Sequence, residues 1–138
     1  MKFGLQVPST TFPGGDSATL FDTLTDIALT AEQNGFETFM LMDHFFQLPF
    51  IGPMSDPMLE CYTALAGIAA RTNTINLSTL VTGVTYRNPA LLAKAVTTLD
   101  VVSRGRAICA LGAAWFDAEH HALGFEFPVL SERFERLE

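Results

Sequence analysis

The sequence lacks most features that would assign it to a specialised class of protein. No apolar run approaches the ~20 residues of a membrane-spanning helix, and no basic start with an apolar segment marks a secretory signal. GxGxxG and Walker phosphate-binding motifs are also absent. With 49% hydrophobic and 17% charged residues among 138, the composition excludes a disordered polar chain. We therefore expect a single domain over residues 1–138, no membrane partner and a cytoplasmic location.

Basic residues are also few. The chain has 8 Lys and Arg residues against 15 Asp and Glu residues, which gives a formal net charge of −7. The basic residues are scattered singly, whereas binding to nucleic acid requires clustered Lys and Arg side chains. The sequence therefore predicts no nucleic-acid partner.

Cysteine occurs only at Cys61 and Cys109. Both residues lie in apolar segments, and they are too far apart in sequence to form a metal-binding motif. A disulfide is not expected in a reducing compartment. We predict two buried thiols and no metal site.

What the sequence does contain is an alternation of strand-like and helix-like segments. Strands are predicted at 2–7, 36–42, 75–84 and 107–112. Helices are predicted to begin near Ser17, at Asp56-Pro57, at Asn88-Pro89, at Ala118 and after a Ser131 cap. Because the strand starts are separated by about the length of a βα unit, the pattern predicts a parallel sheet with crossover helices.

Ligands of parallel α/β folds bind beyond the carboxyl ends of the strands. Asp43 and His44 follow the second strand, where they form either an acid–base pair or a capped turn with a solvent-facing imidazole. Arg87 follows the third strand, where its guanidinium either holds an anionic group or pairs with a carboxylate.

Small residues and the only Trp follow the fourth strand. Gly112 to Trp115 suit either a flat aromatic ligand lying on the backbone or a tight turn whose Trp packs in the core. Glu119, His120 and His121 come next on a short helix, where adjacent His rings point to different faces and at least one is expected to be solvated. These residues alone predict a parallel α/β domain with a site at its strand ends.

Several blocks occur in an order and spacing that resemble a known family. They are Lys2–Val7, Asp43–Phe45, Asp56–Glu60, Leu80–Pro89, Ser103–Arg106, Leu111–Gly112 and Trp115–His120. Together they are similar to the amino-terminal half of the luciferase-like monooxygenase superfamily, and most closely to its members that use the 8-hydroxy-5-deazaflavin coenzyme F420.

The resemblance implies a TIM-type (β/α)8 barrel, here about its first four βα units, with the coenzyme ring at the carboxyl-end mouth. It implies hydride transfer between the reduced coenzyme, F420 or alternatively FMN, and a small organic substrate. It also places Asp43 and His44 beside the ring as catalytic residues, with His44 in proton transfer. A non-proline cis peptide bond at Leu80–Val81 is expected behind the ring.

The resemblance assigns coenzyme binding to a further group of residues. They are Leu80, Val81, Thr82, Arg87, Gly112, Ala114, Trp115 and Glu119. The family commonly has Gly where Ala114 stands, and some relatives carry an acid catalyst in place of Trp115.

The chain is shorter than the closed barrel that the resemblance implies. A closed (β/α)8 barrel needs about 250 residues, so the resemblance implies a truncated half barrel with two open sheet edges. Open edges pair with other strands, and we expect a homo-oligomer formed through them. The alternative function is a non-catalytic scaffold or subunit that self-associates or pairs with another barrel protein.

Overall fold

A parallel sheet with helical connections forms the centre of the computed structural model, which describes residues 1–138. In chain order the elements are β1 (Gly4–Val7), α1 (Leu20–Gln33), β2 (Thr38–Leu41), α2 (Cys61–Ala69), β3 (Asn76–Thr79), β4 (Thr82–Gly83), α3 (Pro89–Ser103), β5 (Ala107–Ile108), β6 (Leu111–Gly112), α4 (Asp117–Leu123) and α5 (Leu130–Glu135). The main sheet has the strand order β1-β2-β3-β5, and β4 pairs with β6 separately. No helix combines the length and apolar character needed to cross a membrane.

All strand pairs are parallel. Thr38 is level with Gly4 on one side and with Asn76 on the other, and Leu77 is level with Ala107. Because parallel strands in register end at the same edge, the loops that follow β2, β4 and β6 meet there. The sheet therefore brings together the candidate residues that sequence spacing separates.

The hydrophobic core lies between the sheet and the helices. Its most deeply buried side chains include Leu24 from α1, Phe39 from β2, Leu65 and Ile68 from α2, and Leu77 from β3. The opposite face of the sheet is an open groove lined in part by Thr38, Met40, Ser78 and Ile108. Helices therefore cover one face of the sheet, the arrangement of a barrel, in which the helices lie outside the strands.

Two predicted helix starts are wrong. α1 begins at Leu20 rather than near Ser17, because the Asp16 carboxylate accepts the backbone amides of Ala18 and Thr19 and holds that segment in a turn. α2 begins at Cys61 rather than after Asp56-Pro57.

Side-chain capping explains where α2 and α3 begin. The Glu60 carboxylate caps α2 by accepting the Thr63 amide at 2.7 Å. The Asn88-Pro89 start of α3 is confirmed, with the Asn88 side chain accepting the Ala90 amide at 2.9 Å. α5 begins at Leu130, one residue before its predicted Ser131 cap.

The third and fourth predicted strands are each divided in two. The peptide bond between Leu80 and Val81 is cis and separates β3 from β4, which confirms the expectation drawn from the resemblance. Cys109 lies where β5 gives way to β6, and its exposure contradicts the predicted burial of both thiols. Cys61 is buried as predicted.

Candidate active site

The loops at the carboxyl ends of the strands enclose a cleft of about 240 Å³. Its lining residues are Asp43, His44, Leu80, Val81, Gly83, Tyr86, Gly112, Ala113, Ala114 and Trp115. The sequence had singled out seven of these as site residues, all except Gly83, Tyr86 and Ala113. The other three predicted site residues, Thr82, Arg87 and Glu119, lie behind its walls.

A larger hollow of about 610 Å³ opens beside the cleft, between the segment 84–89, Leu92, Phe125 and Arg136. Its two guanidiniums, those of Arg87 and Arg136, are both held by carboxylates. The smaller cleft has the stronger claim to be the active site because it alone contains His44.

His44 is held from behind by Glu119. Nδ1 of His44 lies 3.0 Å from Oε2 of Glu119, and the Tyr86 hydroxyl donates to the same oxygen. Oε1 of Glu119 accepts the backbone amides of Phe45 and, at 2.7 Å, Phe46. Glu119 is fully buried and contacts His44, while its coenzyme contact stays a prediction.

These hydrogen bonds keep Glu119 ionised. Burial raises the pKa of the Glu119 carboxyl, but the hydrogen bonds from His44, Tyr86 and two backbone amides outweigh it and hold the pKa below its ordinary value. Burial, together with the neighbouring Glu119 charge, raises the pKa of Tyr86. The site therefore contains a buried anion that faces a neutral phenol and an imidazole.

Asp43 does not orient His44, so the acid–base pair that was one of two interpretations of these residues does not form. The Asp43 carboxylate binds the Arg87 guanidinium through two hydrogen bonds of 2.6 and 2.8 Å, and Arg87 also reaches Glu60 at 2.7 Å. The structure thus favours the second interpretation of Arg87, pairing with carboxylates, over contact with an anionic ligand. The imidazole is oriented instead by Glu119, from a helix 75 residues further along the chain.

Arg87, Asp43, Glu60 and Cys61 form one cluster, here called the Arg87 cluster. The Cys61 thiol donates to Asp43 at 3.0 Å, and burial together with the Asp43 charge raises the pKa of the thiol. Ligand atoms of Asp43, Glu60 and Cys61 lie within 4.8 Å of one another, a spacing compatible with a metal ion. Arg87 already supplies a cation to these carboxylates, and the raised pKa keeps the thiol protonated. The cluster is therefore an ion-pair network rather than a metal centre.

Small residues allow the loops to approach closely at the cleft wall. A Cβ on Gly112 would lie 2.6 Å from Cγ2 of Val81, and one on Gly83 would lie 2.8 Å from the Tyr86 ring. Ala114 has φ +60°, a left-handed conformation that favours Gly and accounts for the residue common in the family. Thr82 is buried in a hydroxyl network with Tyr62 and Thr79.

Aromatic side chains form the remaining wall. Trp115 is 55% exposed, which excludes the core packing considered for it. Its ring stacks on Phe116 with centroids 5.4 Å apart and on Phe50 at 6.3 Å, and meets the edge of the His44 ring at 5.8 Å. The cleft therefore combines a flat aromatic surface with an imidazole and an apolar wall formed by the half-exposed Leu80 and Val81.

A sequence model of luciferase-like monooxygenases matches residues 1–138. The chain belongs to the luciferase-like monooxygenase family. Over 115 residues it is 36% identical to the F420-dependent glucose-6-phosphate dehydrogenase of Kineococcus radiotolerans, covering 83% of this chain and 33% of that protein. This family member thus spans about a third of the length of the curated relatives it matches.

Two solved structures place the fold of this family member. Monooxygenase RslO1 from Streptomyces bottropensis superposes with a TM-score of 0.78 at 29% identity, over 98% of this chain and 40% of that one. The coenzyme F420-dependent tetrahydromethanopterin reductase of Methanopyrus kandleri gives 0.67 at 25% identity, over 94% and 31%. The parallel α/β fold described above is therefore part of a TIM-type barrel.

Sequence reasoning missed Tyr86 and the contact between Glu119 and His44. Tyr86 stands inside the Leu80–Pro89 block, and the sequence contains nothing that links it to Glu119, 33 residues later. The alternation of strands and helices could locate both residues at the carboxyl-end loops. It could not show which side chains face the cleft and which support it from behind.

Proposed function

We propose that this chain forms the part of a deazaflavin-dependent oxidoreductase that borders the coenzyme ring and supplies the residue for proton transfer. F420 is the proposed coenzyme, with FMN as the alternative, and the substrate is a small organic molecule. The names of the relatives support F420, since the Kineococcus and Methanopyrus proteins are both described as F420-dependent. The observation that carries the proposal is the Glu119-backed His44 in an apolar and aromatic cleft.

The residues present fit a planar conjugated ring. Leu80 and Val81 are 44% and 41% exposed at the cleft, an arrangement that only an apolar surface would cover favourably. Trp115 offers a flat ring to one edge. Leu80, Val81, Gly112, Ala114 and Trp115 would therefore border such a ring, while the side chains of Thr82, Arg87 and Glu119 support the loops that do so.

When bound, the coenzyme would supply a hydride donor or acceptor, which no protein side chain provides. The chain itself contributes orientation, exclusion of water and one movable proton. Leu80 and Val81 exclude water from one side, and Trp115 from another. His44 would transfer a proton to or from the substrate atom whose charge changes as hydride moves, the task of a general acid or base near neutral pH.

Coenzyme binding is tested by titrating the purified protein with F420 and, separately, with FMN while following the quenching of coenzyme fluorescence. We expect saturable binding of F420 and weaker binding of FMN. The reverse preference would make FMN the coenzyme. Binding of neither would reject the proposal and support the non-catalytic scaffold.

The role of His44 is tested by His44→Asn. Turnover should fall by about 10²–10⁴-fold, as when a general acid or base is removed, while the dissociation constant of the coenzyme changes much less. His121→Asn is a matched control, because His121 is exposed on the same segment as Glu119. Unchanged turnover in His44→Asn would remove this residue from the mechanism.

The second candidate, a scaffold that self-associates, is favoured by the open edges of the sheet. β1 and β5 are edge strands, and Ile108 in β5 is exposed. Unpaired backbone groups on such edges are ready to accept another strand. We propose that copies of the chain pair through these edges, and a monodisperse monomer in light scattering would refute this. The cytoplasmic location stays a prediction from the sequence.

A further inference from the structure

Every acceptor position of the Glu119 carboxylate is occupied by the protein. Oε1 accepts the amides of Phe45 and Phe46, and Oε2 accepts the Tyr86 hydroxyl and faces Nδ1 of His44. A carboxylate offers about four lone-pair sites on its two oxygens. Because Glu119 is also fully buried, it can affect the cleft only through its hydrogen bond with the His44 ring.

The partners of Glu119 determine where the His44 proton lies. Its ionised carboxylate can only accept hydrogen bonds, so Nδ1 of His44 must carry the proton in the 3.0 Å contact. In a neutral imidazole, the other nitrogen then has a free lone pair. Nε2 makes no hydrogen bond within the protein, while every buried side-chain nitrogen and oxygen has a partner. Nε2 is therefore accessible, and His44 lines the cleft.

We propose that Glu119 is a positioning residue that fixes His44 in the Nδ1-protonated tautomer, so that the neutral ring presents Nε2 to the cleft as a proton acceptor. This inference deepens the proposed function and rests on it for its catalytic meaning. The tautomer itself is a property of the chain without coenzyme. An acid behind a histidine acts in this way in hydrolytic triads, where replacing the acid by its amide inverts the tautomer and nearly abolishes turnover.

Tyr86 holds the carboxylate in place without changing the tautomer. Its ring stacks on His120 with centroids 4.7 Å apart, and His120 is itself fixed at both nitrogens. Nδ1 of His120 donates to the Phe116 carbonyl at 2.7 Å, and Nε2 faces the Thr85 hydroxyl at 2.6 Å. Tyr86 and His120 therefore pack together beside Glu119.

The proposal predicts an inversion in Glu119→Gln. The backbone amides of Phe45 and Phe46 can only donate, so they retain the glutamine oxygen at the Oε1 position. The glutamine NH₂ group then takes the Oε2 position and donates to Nδ1 of His44. The ring must move its proton to Nε2, which turns the group facing the cleft from an acceptor into a donor.

The test is ¹⁵N NMR of histidine-labelled protein without coenzyme, at about pH 8.5, where an ordinary imidazole is neutral. The chain has 3 His residues, and His44→Asn identifies the His44 signals by their loss. We expect the wild type to show a protonated Nδ1 and a bare Nε2 at His44. Glu119→Gln should show the reverse, while Glu135→Gln, an exposed control on α5, should match the wild type. His120 should keep its proton on Nδ1 throughout.

Two results would overturn the proposal: a wild-type His44 protonated on Nε2, or a folded Glu119→Gln protein that keeps the Nδ1 proton. If Glu119→Gln fails to fold, the wild-type spectrum still decides, and Tyr86→Phe should retain the Nδ1 proton because Oε2 remains an acceptor. Loss of that proton in a folded Tyr86→Phe protein would also count against the proposal. A correct tautomer without coenzyme binding would reject the proposed function and leave this inference intact.

Discussion

Asp43 and Glu119 are nearly inaccessible carboxylates at the same end of the sheet, but they have different partners. Asp43 binds the permanent cation of Arg87 through two hydrogen bonds. Glu119 binds two backbone amides, a phenol and an imidazole, of which the imidazole has a second ring nitrogen that can bind or release a proton. The Asp43–Arg87 pair fixes two opposite charges against each other. The Glu119 charge instead acts on the His44 imidazole, a group that can exchange protons.

The two clusters also differ in what they join. Arg87 ties the loop after β2 to the start of α2 through Asp43 and Glu60. Glu119 ties the loop after β2 to α4 through the His44 contact. Both therefore stabilise the mouth of the cleft, but only the Glu119 cluster reaches a side chain with an accessible proton-binding atom. The Arg87 cluster is accordingly the better place to look for stability, and the Glu119 cluster for chemistry.

The largest expected effect comes from Arg87→Met. It leaves Asp43 buried without its cation, a change that costs about 3–5 kcal/mol in the free energy of unfolding. Urea denaturation measures this loss. Arg71→Met is the matched control, because Arg71 pairs with Asp22 on the surface and such pairs contribute about 0–1 kcal/mol. Equal losses of stability in the two variants would show that the buried Arg87 ion pairs contribute no more than a surface pair.

Tyr86→Phe should have an intermediate effect. It removes a buried hydrogen bond to an ionised carboxylate, which is worth about 1.5–3 kcal/mol. Tyr62→Phe removes a buried hydroxyl bonded to Thr82, a neutral partner, and should cost about 1 kcal/mol. Both values come from chemical denaturation. A smaller loss for Tyr86→Phe than for Tyr62→Phe would contradict the ionised state of Glu119.

The smallest effect concerns acid stability. Because hydrogen bonds hold the pKa of Glu119 below its ordinary value of about 4.5, the stability that it contributes is fully present above that value. The contribution is lost as the pH falls further, through the lower pKa of the folded state. Glu119→Gln should therefore lose stability less steeply below about pH 4.5 than the wild type. Thermal melts across this range measure the slope, and Glu135→Gln should follow the wild type.

Particular residues show how far the sequence could be interpreted. Asn88-Pro89 predicted the start of α3 because capping is local. Asp56-Pro57 carried the same signal, but α2 begins at Cys61, directly after Glu60, whose carboxylate both caps the helix and binds Arg87. The local signal failed there because Glu60 is also held by Arg87, a residue 27 positions away that local sequence cannot reveal.

In the candidate site, too, the sequence could place some residues but could not predict their partners. His44 and Trp115 could be placed at the mouth, since each lies within three residues of the end of a predicted strand and the carboxyl ends of parallel strands meet at one edge. The partner of His44 could not be predicted, because sequence adjacency pointed to Asp43. Asp43 and His44 are neighbours in the loop after β2, but the folded chain pairs Asp43 with Arg87 and His44 with Glu119.

The sequence by itself determined the βα alternation, the parallel sheet and the family, because these depend on local hydrophobic spacing, capping residues and ordered motifs. Only the tertiary structure decided which acid supports the histidine, which arginine is already neutralised and which face of the sheet stays open. Those outcomes depend on contacts between residues tens of positions apart. In a buried site the hydrogen-bond partners of each charged group must be found among such distant residues.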